Sequence, residues 1–346
     1  MKPRNRRNPC TKSCPRVCLT GCDVVKSPYF VKVCAKHRGI PKDGCRECCQ
    51  PNTREDGINL HVSDVGQCIL GTIVFVGPGL VGTDYFLYQI EYLAARGFRV
   101  ISITQRGTGE SDKPYPVADY DVYADDLRQV LDCLDVKDVT LVGHSASAGT
   151  VLHYAARHEC CRVGRIVMVS PPAPDATFKV PDAAIDGLIA GQLADYPAAM
   201  AQFTGLLFTP DVPSPETFGF VHRELLETPL YSAVQHFEYV LRTAPLSNIL
   251  LNDTPKVCVP TTIIMGVGDV LTPFPIALQY QALIPGSTVV PFLTSGHLPF
   301  ITEKQFFNDT IFQIASTGKC AGGTCTDVGC AKLVNWDVKT GPVFAY

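Results

Sequence analysis

TLVGHSASAG, residues 140–149, is the most informative segment of this chain for its fold. An apolar, strand-like run over residues 139–142 ends in a cluster of small residues around Ser145, and a helical pattern follows over residues 148–157. A serine on such a sharp strand-to-helix turn exposes its hydroxyl, and the amide of the next residue, Ala146, can bind an oxyanion there. The usual pattern is G-x-S-x-G, with Ser147 here in the last position. The stretch therefore predicts Ser145 as a nucleophile, although a turn that only packs a helix on a strand would look similar.

A base and an acid for Ser145 follow later in the chain, in the order Ser, Asp, His. A serine hydroxyl needs a histidine base, and the histidine needs a carboxylate to orient it. The strand-like run over residues 261–265 leads into Asp269, and the run over residues 287–293 leads into His297. Either residue alone is commonly structural, but three such groups after three strands predict a Ser145–Asp269–His297 triad at one sheet edge.

The second oxyanion donor is expected after the strand-like run over residues 72–76, in the loop Gly77-Pro78-Gly79-Leu80. Pro78 cannot serve, because proline has no N–H. If Gly79 precedes the donor, the amide of Leu80 pairs with that of Ala146. The alternative is a plain glycine-rich turn without a catalytic task.

These motifs resemble those of the α/β-hydrolases, in the single-domain form that carries a lid, over about residues 57–316. The stretch 105–112, QRGTGESD, is similar to the R-G-x-G-x-S turn of that family. Two departures are Pro78, where the family usually has histidine, and Thr104, where it has aspartate. The resemblance implies a mostly parallel central sheet with helices on both faces and a helical lid insertion.

A narrower resemblance joins GHSASA, GHLP and residues 123–127 to the strigolactone and karrikin receptor hydrolases and their bacterial stress-regulator relatives. A subgroup similar to zearalenone lactonase shares the Ser-Ala-Ser turn but takes its acid from an earlier strand. The matching residues here, 169–171, contain no carboxylate, so Asp269 is favoured as the acid of the triad.

Composition agrees with one large α/β domain. The chain has 346 residues, of which 46% are hydrophobic and 18% charged, and no apolar run near 18 residues predicts a membrane span. Strand-like runs alternate with helical patterns over residues 85–96 and 119–134. We expect a hydrolase domain over residues 51–316, with a lid at about residues 175–251, where apolar residues recur at helical spacing.

The two ends of the chain are rich in cysteine. Residues 1–50 contain eight of the 16 cysteines and twelve Lys and Arg against three Asp and Glu, a net charge of +9. Cys34, His37, Cys45 and Cys48 have spacing suited to a zinc site, similar to half of a B-box-type finger. Disulfides, or an extension without metal, are the alternatives. The tail, residues 317–346, adds Cys320, Cys325 and Cys330.

The compartment follows from the same residues. No apolar segment follows the basic start, so no secretory signal is predicted and a cytoplasmic location is the default. The cysteine content leaves an oxidising compartment as the alternative. The remaining cysteines, at positions 68, 133, 160, 161 and 258, are interpreted as buried thiols.

The predicted function is hydrolysis of a carboxylic ester or lactone of a small apolar substrate through an acyl-enzyme, without a catalytic cofactor. The alternative, from the resemblance to receptor hydrolases, is a ligand receptor with slow turnover whose lid signals to a protein partner. The basic cysteine-rich extension could dock such a partner, whereas nucleic-acid binding is weakly supported.

Overall fold

In the computed structural model, residues 29–34, 57–116, 119–158, 162–317, 332–337 and 341–345 are described. Their main feature is an eight-stranded sheet with the order β1-β2-β4-β3-β5-β6-β7-β8. Strands β1, β2 and β4 pair antiparallel, and the pairings from β4 through β8 are parallel. The strands are β1 Tyr29–Cys34, β2 Gly57–Gly66, β3 Gly71–Val76, β4 Phe98–Ile103, β5 Val139–His144, β6 Val163–Val169, β7 Thr261–Gly266 and β8 Thr288–Phe292.

Helices cover both faces of the sheet, as predicted. Alternate residues of a strand point to opposite faces; on β3, Val74 and Val76 join one buried apolar cluster, and Ile73 and Phe75 join the other. The first cluster includes residues of α2, α3 and α10, and the second includes residues of α1 and α12. These helices are α1 Leu87–Ala94, α2 Tyr120–Cys133, α3 Ala146–Arg157, α10 Pro275–Leu283, α11 Pro299–Thr302 and α12 Lys304–Ser316.

The predicted helical insertion lies between β6 and β7. We call it the lid; its helices are α4 Asp182–Ala194, α5 Tyr196–Phe208, α6 Pro215–Leu226, α7 Leu230–Phe237, α8 Ala244–Ser247 and α9 Ile249–Asp253, with a π-helical turn at Glu238–Thr243. Two of them begin at side-chain caps: Asp195 accepts a hydrogen bond from Ala198 N–H, and Ser214 accepts one from Thr217 N–H. Lid residues such as Phe208 and Val221 continue the second apolar cluster.

Strand β1 corrects the predicted domain boundary. Tyr29–Cys34 lies inside the segment that we assigned to the cysteine-rich extension, residues 1–50, yet it pairs in register with β2. Val31 and Val33 are buried, and the Tyr29 hydroxyl donates a 2.6 Å hydrogen bond to Asp64. The domain therefore includes residues 29–34, because their apolar side chains complete the core beside β2.

The cysteines also depart from expectation. Cys133 and Cys258 are disulfide-bonded, not buried thiols as predicted from their positions in regular elements. Cys68 is a free thiol, as predicted, but it is only partly buried. Cys160 and Cys161 lie outside the described residues, as do His37, Cys45 and Cys48 of the predicted zinc site. Cys34 ends β1, and the zinc site stays a prediction.

Two further features concern the ends of the chain and the membrane. Strands β9 Lys332–Asp337 and β10 Gly341–Ala345, in the tail where no element was predicted, form a separate antiparallel pair. Among the described residues, none of the helices has the length and apolar character that crossing a bilayer demands.

Candidate active site

The turn at Ser145 is strained in the way that a nucleophile turn requires. Ser145 stands between β5 and α3 with φ of +54° and ψ of −125°. A non-glycine residue in such a conformation costs about 1–3 kcal/mol and persists only where the surroundings enforce it. Ser145 is partly exposed, whereas both its neighbours are buried, so its hydroxyl is accessible from the cavity that it lines.

Close packing enforces this turn. Ser145 N–H donates to Val169 O at 2.8 Å, across the sheet. A side-chain carbon on Gly143 would lie 2.3 Å from the carbonyl oxygen of Ser147, so only glycine fits there. The buried Ser147 hydroxyl donates to Val76 O at 2.6 Å and accepts from His144 N–H at 2.9 Å. Ser147 thus braces the turn and is not free to act as a nucleophile.

Asp269 and His297 are in direct contact. They lie beyond the carboxyl ends of β7 and β8, and His297 Nδ1 is 2.7 Å from Asp269 Oδ2. The other carboxylate oxygen, Oδ1, accepts from the amides of Leu271 and Thr272, both at 2.9 Å. The Thr272 hydroxyl donates to Oδ2 at 2.7 Å. The carboxylate is therefore held by four donors, and its contact with Nδ1 fixes the orientation of the imidazole ring.

This environment keeps Asp269 ionised. Burial by itself would raise the pKa of Asp269, but the charge and hydrogen bond of His297, with the donors of Thr272, outweigh it and lower the pKa to about 2. An ionised carboxylate at Oδ2 requires a proton on His297 Nδ1. The other ring nitrogen, Nε2, is then unprotonated in the neutral ring and can accept a proton.

His144 holds the backbone of the histidine loop. Its Nε2 lies 2.9 Å from the carbonyl oxygen of His297, and the two rings are 4.8 Å apart. Burial and the nearby His297 hold the pKa of His144 well below its usual value. Because a carbonyl oxygen only accepts, Nε2 of the neutral ring must carry the proton. His144 therefore positions His297 through the main chain.

The two predicted oxyanion donors line the same cavity as Ser145 and His297. Ala146 N–H is the first amide of α3, which has no partner within the helix. Among the described residues, the Leu80 amide donates to no hydrogen-bond acceptor. Gly79, just before it, has φ of +62°, which glycine adopts without strain. The lid fixes this loop, since the Thr228 hydroxyl donates to Leu80 O at 2.9 Å.

The cavity has a volume of about 210 Å³ and lies between the sheet edge and the lid. Its lid wall is made by Val180, Leu188, Phe203, Leu206, Leu207, Leu225, His236, Phe237, Val240 and Leu241. This wall is almost wholly apolar, so the cavity suits a small substrate that is largely apolar. The structure thus brings Ser145, His297, Leu80 and Ala146 to one cavity, with Asp269 behind His297.

Sequence reasoning missed three residues of this site: His144, Thr272 and His236. The sequence did contain a signal for Thr272, because a hydroxyl residue shortly after an aspartate in a loop commonly forms a local hydrogen-bonded turn with it. His144 is part of the decisive stretch, but nothing local shows that its ring reaches the His297 loop. His236 lies on α7, and its position on the cavity depends on how the lid packs.

Comparisons with known proteins cover the same region. A family model described as the alpha/beta hydrolase fold matches residues 72–304. The AB hydrolase superfamily protein YisY of Bacillus subtilis (strain 168) is 32% identical over 269 residues, which are 76% of this chain and 97% of that protein. A non-heme chloroperoxidase of Streptomyces lividans is 27% identical over 268 residues, which are 74% of this chain and 95% of that protein.

Among solved structures, an esterase from Exiguobacterium antarcticum is similar, with a TM-score of 0.69 and 28% identity. The match covers 76% of this chain and 97% of the esterase. The residues matched by the family model include the positions of Leu80, Ser145, Asp269 and His297.

Proposed function

This chain belongs to the α/β-hydrolase family, and we propose that it is a serine hydrolase that cleaves a carboxylic ester or lactone of a small, largely apolar substrate. One observation carries the proposal: a serine at a strained turn shares a cavity with a histidine that is bound to a buried, ionised aspartate. The similarity to a bacterial esterase supports the same reaction class.

The proposed reaction has two halves. His297 Nε2 takes the Ser145 proton as the hydroxyl oxygen attacks the carbonyl carbon, and the amides of Leu80 and Ala146 hold the resulting oxyanion. The tetrahedral species collapses, the bond to the leaving oxygen breaks, and His297 gives that oxygen the proton. Water, deprotonated by His297, then attacks the acyl-enzyme; the bond from the acyl carbon to Ser145 Oγ breaks, His297 returns the proton to that oxygen, and the acid is released. Asp269 stays ionised throughout and stabilises the imidazolium.

A panel of aryl esters and lactones with acyl parts of increasing size tests the proposal. We expect multiple turnovers on small apolar esters and a sharp fall once the acyl part becomes too large for the cavity under the lid. Labelling by a fluorophosphonate probe should track the activity. No turnover on any member would contradict the hydrolase proposal. Hydrolysis limited to about one event per chain, with a ligand-dependent change of melting temperature, would favour the receptor alternative.

Leu80→Pro tests the oxyanion hole, because only proline removes a backbone donor. We expect kcat to fall by roughly 10²–10³-fold, the usual cost of one lost oxyanion donor. Leu80→Ala, which keeps the amide, is the matched control and should change mainly KM, since Leu80 lines the cavity. Steady-state kinetics and thermal melting of both variants give the readout. A folded Leu80→Pro enzyme with near-normal kcat would place the donor elsewhere.

The compartment is a separate proposal. The disulfides of Cys133 and Cys258 are typical of proteins in an oxidising environment. They weigh against the cytoplasmic default, and we propose that the protein works where disulfides persist. Thiol titration of protein isolated from its native source under alkylating conditions would test this.

A further inference from the structure

His236 is the polar exception in the lid wall of the cavity. It lies on α7 and is 6% exposed. Of the lid residues that line the cavity within the described part of the chain, all the others are apolar. A single polar side chain in an apolar wall is the usual way in which a small-molecule site fixes the orientation of its ligand.

The ring of His236 has unused hydrogen-bonding capacity. Within the described part of the chain, neither of its nitrogens has a hydrogen-bond or ion-pair partner. The other described histidines each have one, as His153 has with Asp253 and His222 with the carbonyl of Pro197. Because His236 lines the cavity, its ring is open to a hydrogen bond with a ligand bound there. A ligand that supplies such a partner completes the hydrogen bonding that the protein leaves unmade.

The charge state of His236 narrows the class of ligand. Burial lowers the pKa of His236 to about 4, so the ring is neutral near pH 7. A neutral imidazole offers one N–H donor and one acceptor. It therefore suits a hydroxyl or keto oxygen better than a carboxylate, which would favour a charged ring.

The position of the ring indicates which part of the substrate it meets. His236 packs on Gly79, where a side-chain carbon would lie 2.7 Å from Cε1 and 2.9 Å from Nδ1 of the ring. Gly79 precedes Leu80, the proposed oxyanion donor, so His236 is beside the loop that receives the carbonyl oxygen. The leaving oxygen has to face His297 instead, because His297 protonates it. The group near His236 then belongs to the acyl part.

We propose that His236 is a specificity residue that selects esters or lactones whose acyl part carries a hydroxyl or keto oxygen, which its ring binds by a hydrogen bond. This inference rests on the proposed hydrolase function and adds the substrate class. In this proposal, the lid side of the cavity is apolar except for one polar anchor point, the ring of His236.

A matched set of substrates tests the proposal: the p-nitrophenyl esters of butanoic, 2-hydroxybutanoic and 3-hydroxybutanoic acid. The wild-type protein should prefer one hydroxylated ester over the plain ester by roughly ten-fold or more in kcat/KM, the value of a buried hydrogen bond whose loss leaves a group unpaired. In His236→Phe this ratio should fall toward one. His236→Gln, which keeps a donor and an acceptor, should retain part of the preference.

Two outcomes would overturn the inference: no preference in the wild-type protein, or an unchanged ratio in His236→Phe. An unchanged ratio with an equal fall on all three esters would assign His236 to the transition state or to packing. Each protein's melting temperature is measured alongside, and the ratio within one protein cancels any loss of folded material.

Binding to a protein that cannot cleave separates this inference from the hydrolase proposal. The ethyl esters of the same acids are titrated into Ser145→Ala and into Ser145→Ala/His236→Phe, and the melting shift is recorded. A larger shift with a hydroxylated ester, lost in the double variant, supports the selection by His236 even if the wild-type protein hydrolyses nothing. Equal shifts with all esters in Ser145→Ala contradict it, whatever the outcome of the hydrolysis assay.

Discussion

Ser145→Ala is expected to abolish ester hydrolysis and labelling by a fluorophosphonate probe. The hydroxyl is the atom that forms the acyl-enzyme, so the loss in kcat should be on the order of 10⁶-fold, down to the residual rate of the remaining site. Folding should persist, because Ser145 already adopts a φ of +54° that is equally costly for alanine. Activity assays, labelling and thermal melting check the three parts of this result.

Ser147→Ala is the matched control, two residues further on. It removes a buried hydroxyl that donates to Val76 O and accepts from His144 N–H. We expect a loss of about 1–3 kcal/mol in the free energy of unfolding, because buried groups are left unpaired. Labelling should remain at Ser145. Labelling of Ser145→Ala at wild-type levels would show that another residue is the nucleophile.

Much of the central sheet was predictable because parallel strands are buried on both faces and appear in the sequence as apolar runs. The run over residues 72–76 became β3, Gly71–Val76, and the run over residues 261–265 became β7, Thr261–Gly266. Since carboxyl ends of parallel strands meet at one edge, the positions of Asp269 and His297 after two strand-like runs also predicted that they would lie close together. In the structure, His297 Nδ1 lies 2.7 Å from Asp269 Oδ2.

Strand β1 was missed for a physical reason. Tyr29–Cys34 lies in a basic, cysteine-rich segment whose composition does not resemble a core strand, and its partner β2 begins at Gly57. Such a pairing has no local turn signal, because the strands are not joined by a tight hairpin. The disulfides of Cys133 and Cys258 were missed similarly, since spacing along the chain does not predict which thiols approach each other.

The lid shows more clearly what could not be predicted from the sequence. Helical periodicity predicted its location but not which helix faces would line the cavity, because apolar residues occur around several of its helices. His236 and Phe237 are neighbours on α7, yet both line the cavity. Their placement depends on contacts with Gly79 and with Phe203, which lie far away in the sequence.

Asp269→Asn is expected to lower kcat by roughly 10⁴-fold with little loss of stability, and the hydrogen bonds explain why. Oδ1 accepts from the Leu271 and Thr272 amides, which are able only to donate. An asparagine must therefore place its carbonyl oxygen there and turn its NH₂ toward His297 Nδ1. The NH₂ group cannot accept a proton, so Nδ1 becomes the acceptor and the proton moves to Nε2. The tautomer is then wrong for accepting the Ser145 proton.

The control for this change is Asp309→Asn, the same chemical substitution on an exposed position of α12. It should leave kcat within a factor of about two, because Asp309 is exposed and does not line the cavity, and it should change the free energy of unfolding by no more than about 0.5 kcal/mol. The measurement is kcat against pH for both variants, with NMR detection of the His297 ring protons to identify the tautomer. Retention of more than about a tenth of the wild-type kcat by Asp269→Asn would contradict this argument. Either another carboxylate would then orient His297, or the asparagine would keep its oxygen toward Nδ1 and leave the Leu271 and Thr272 amides facing an NH₂ group. A lower melting temperature would indicate the second cause, because that arrangement leaves two amides unpaired.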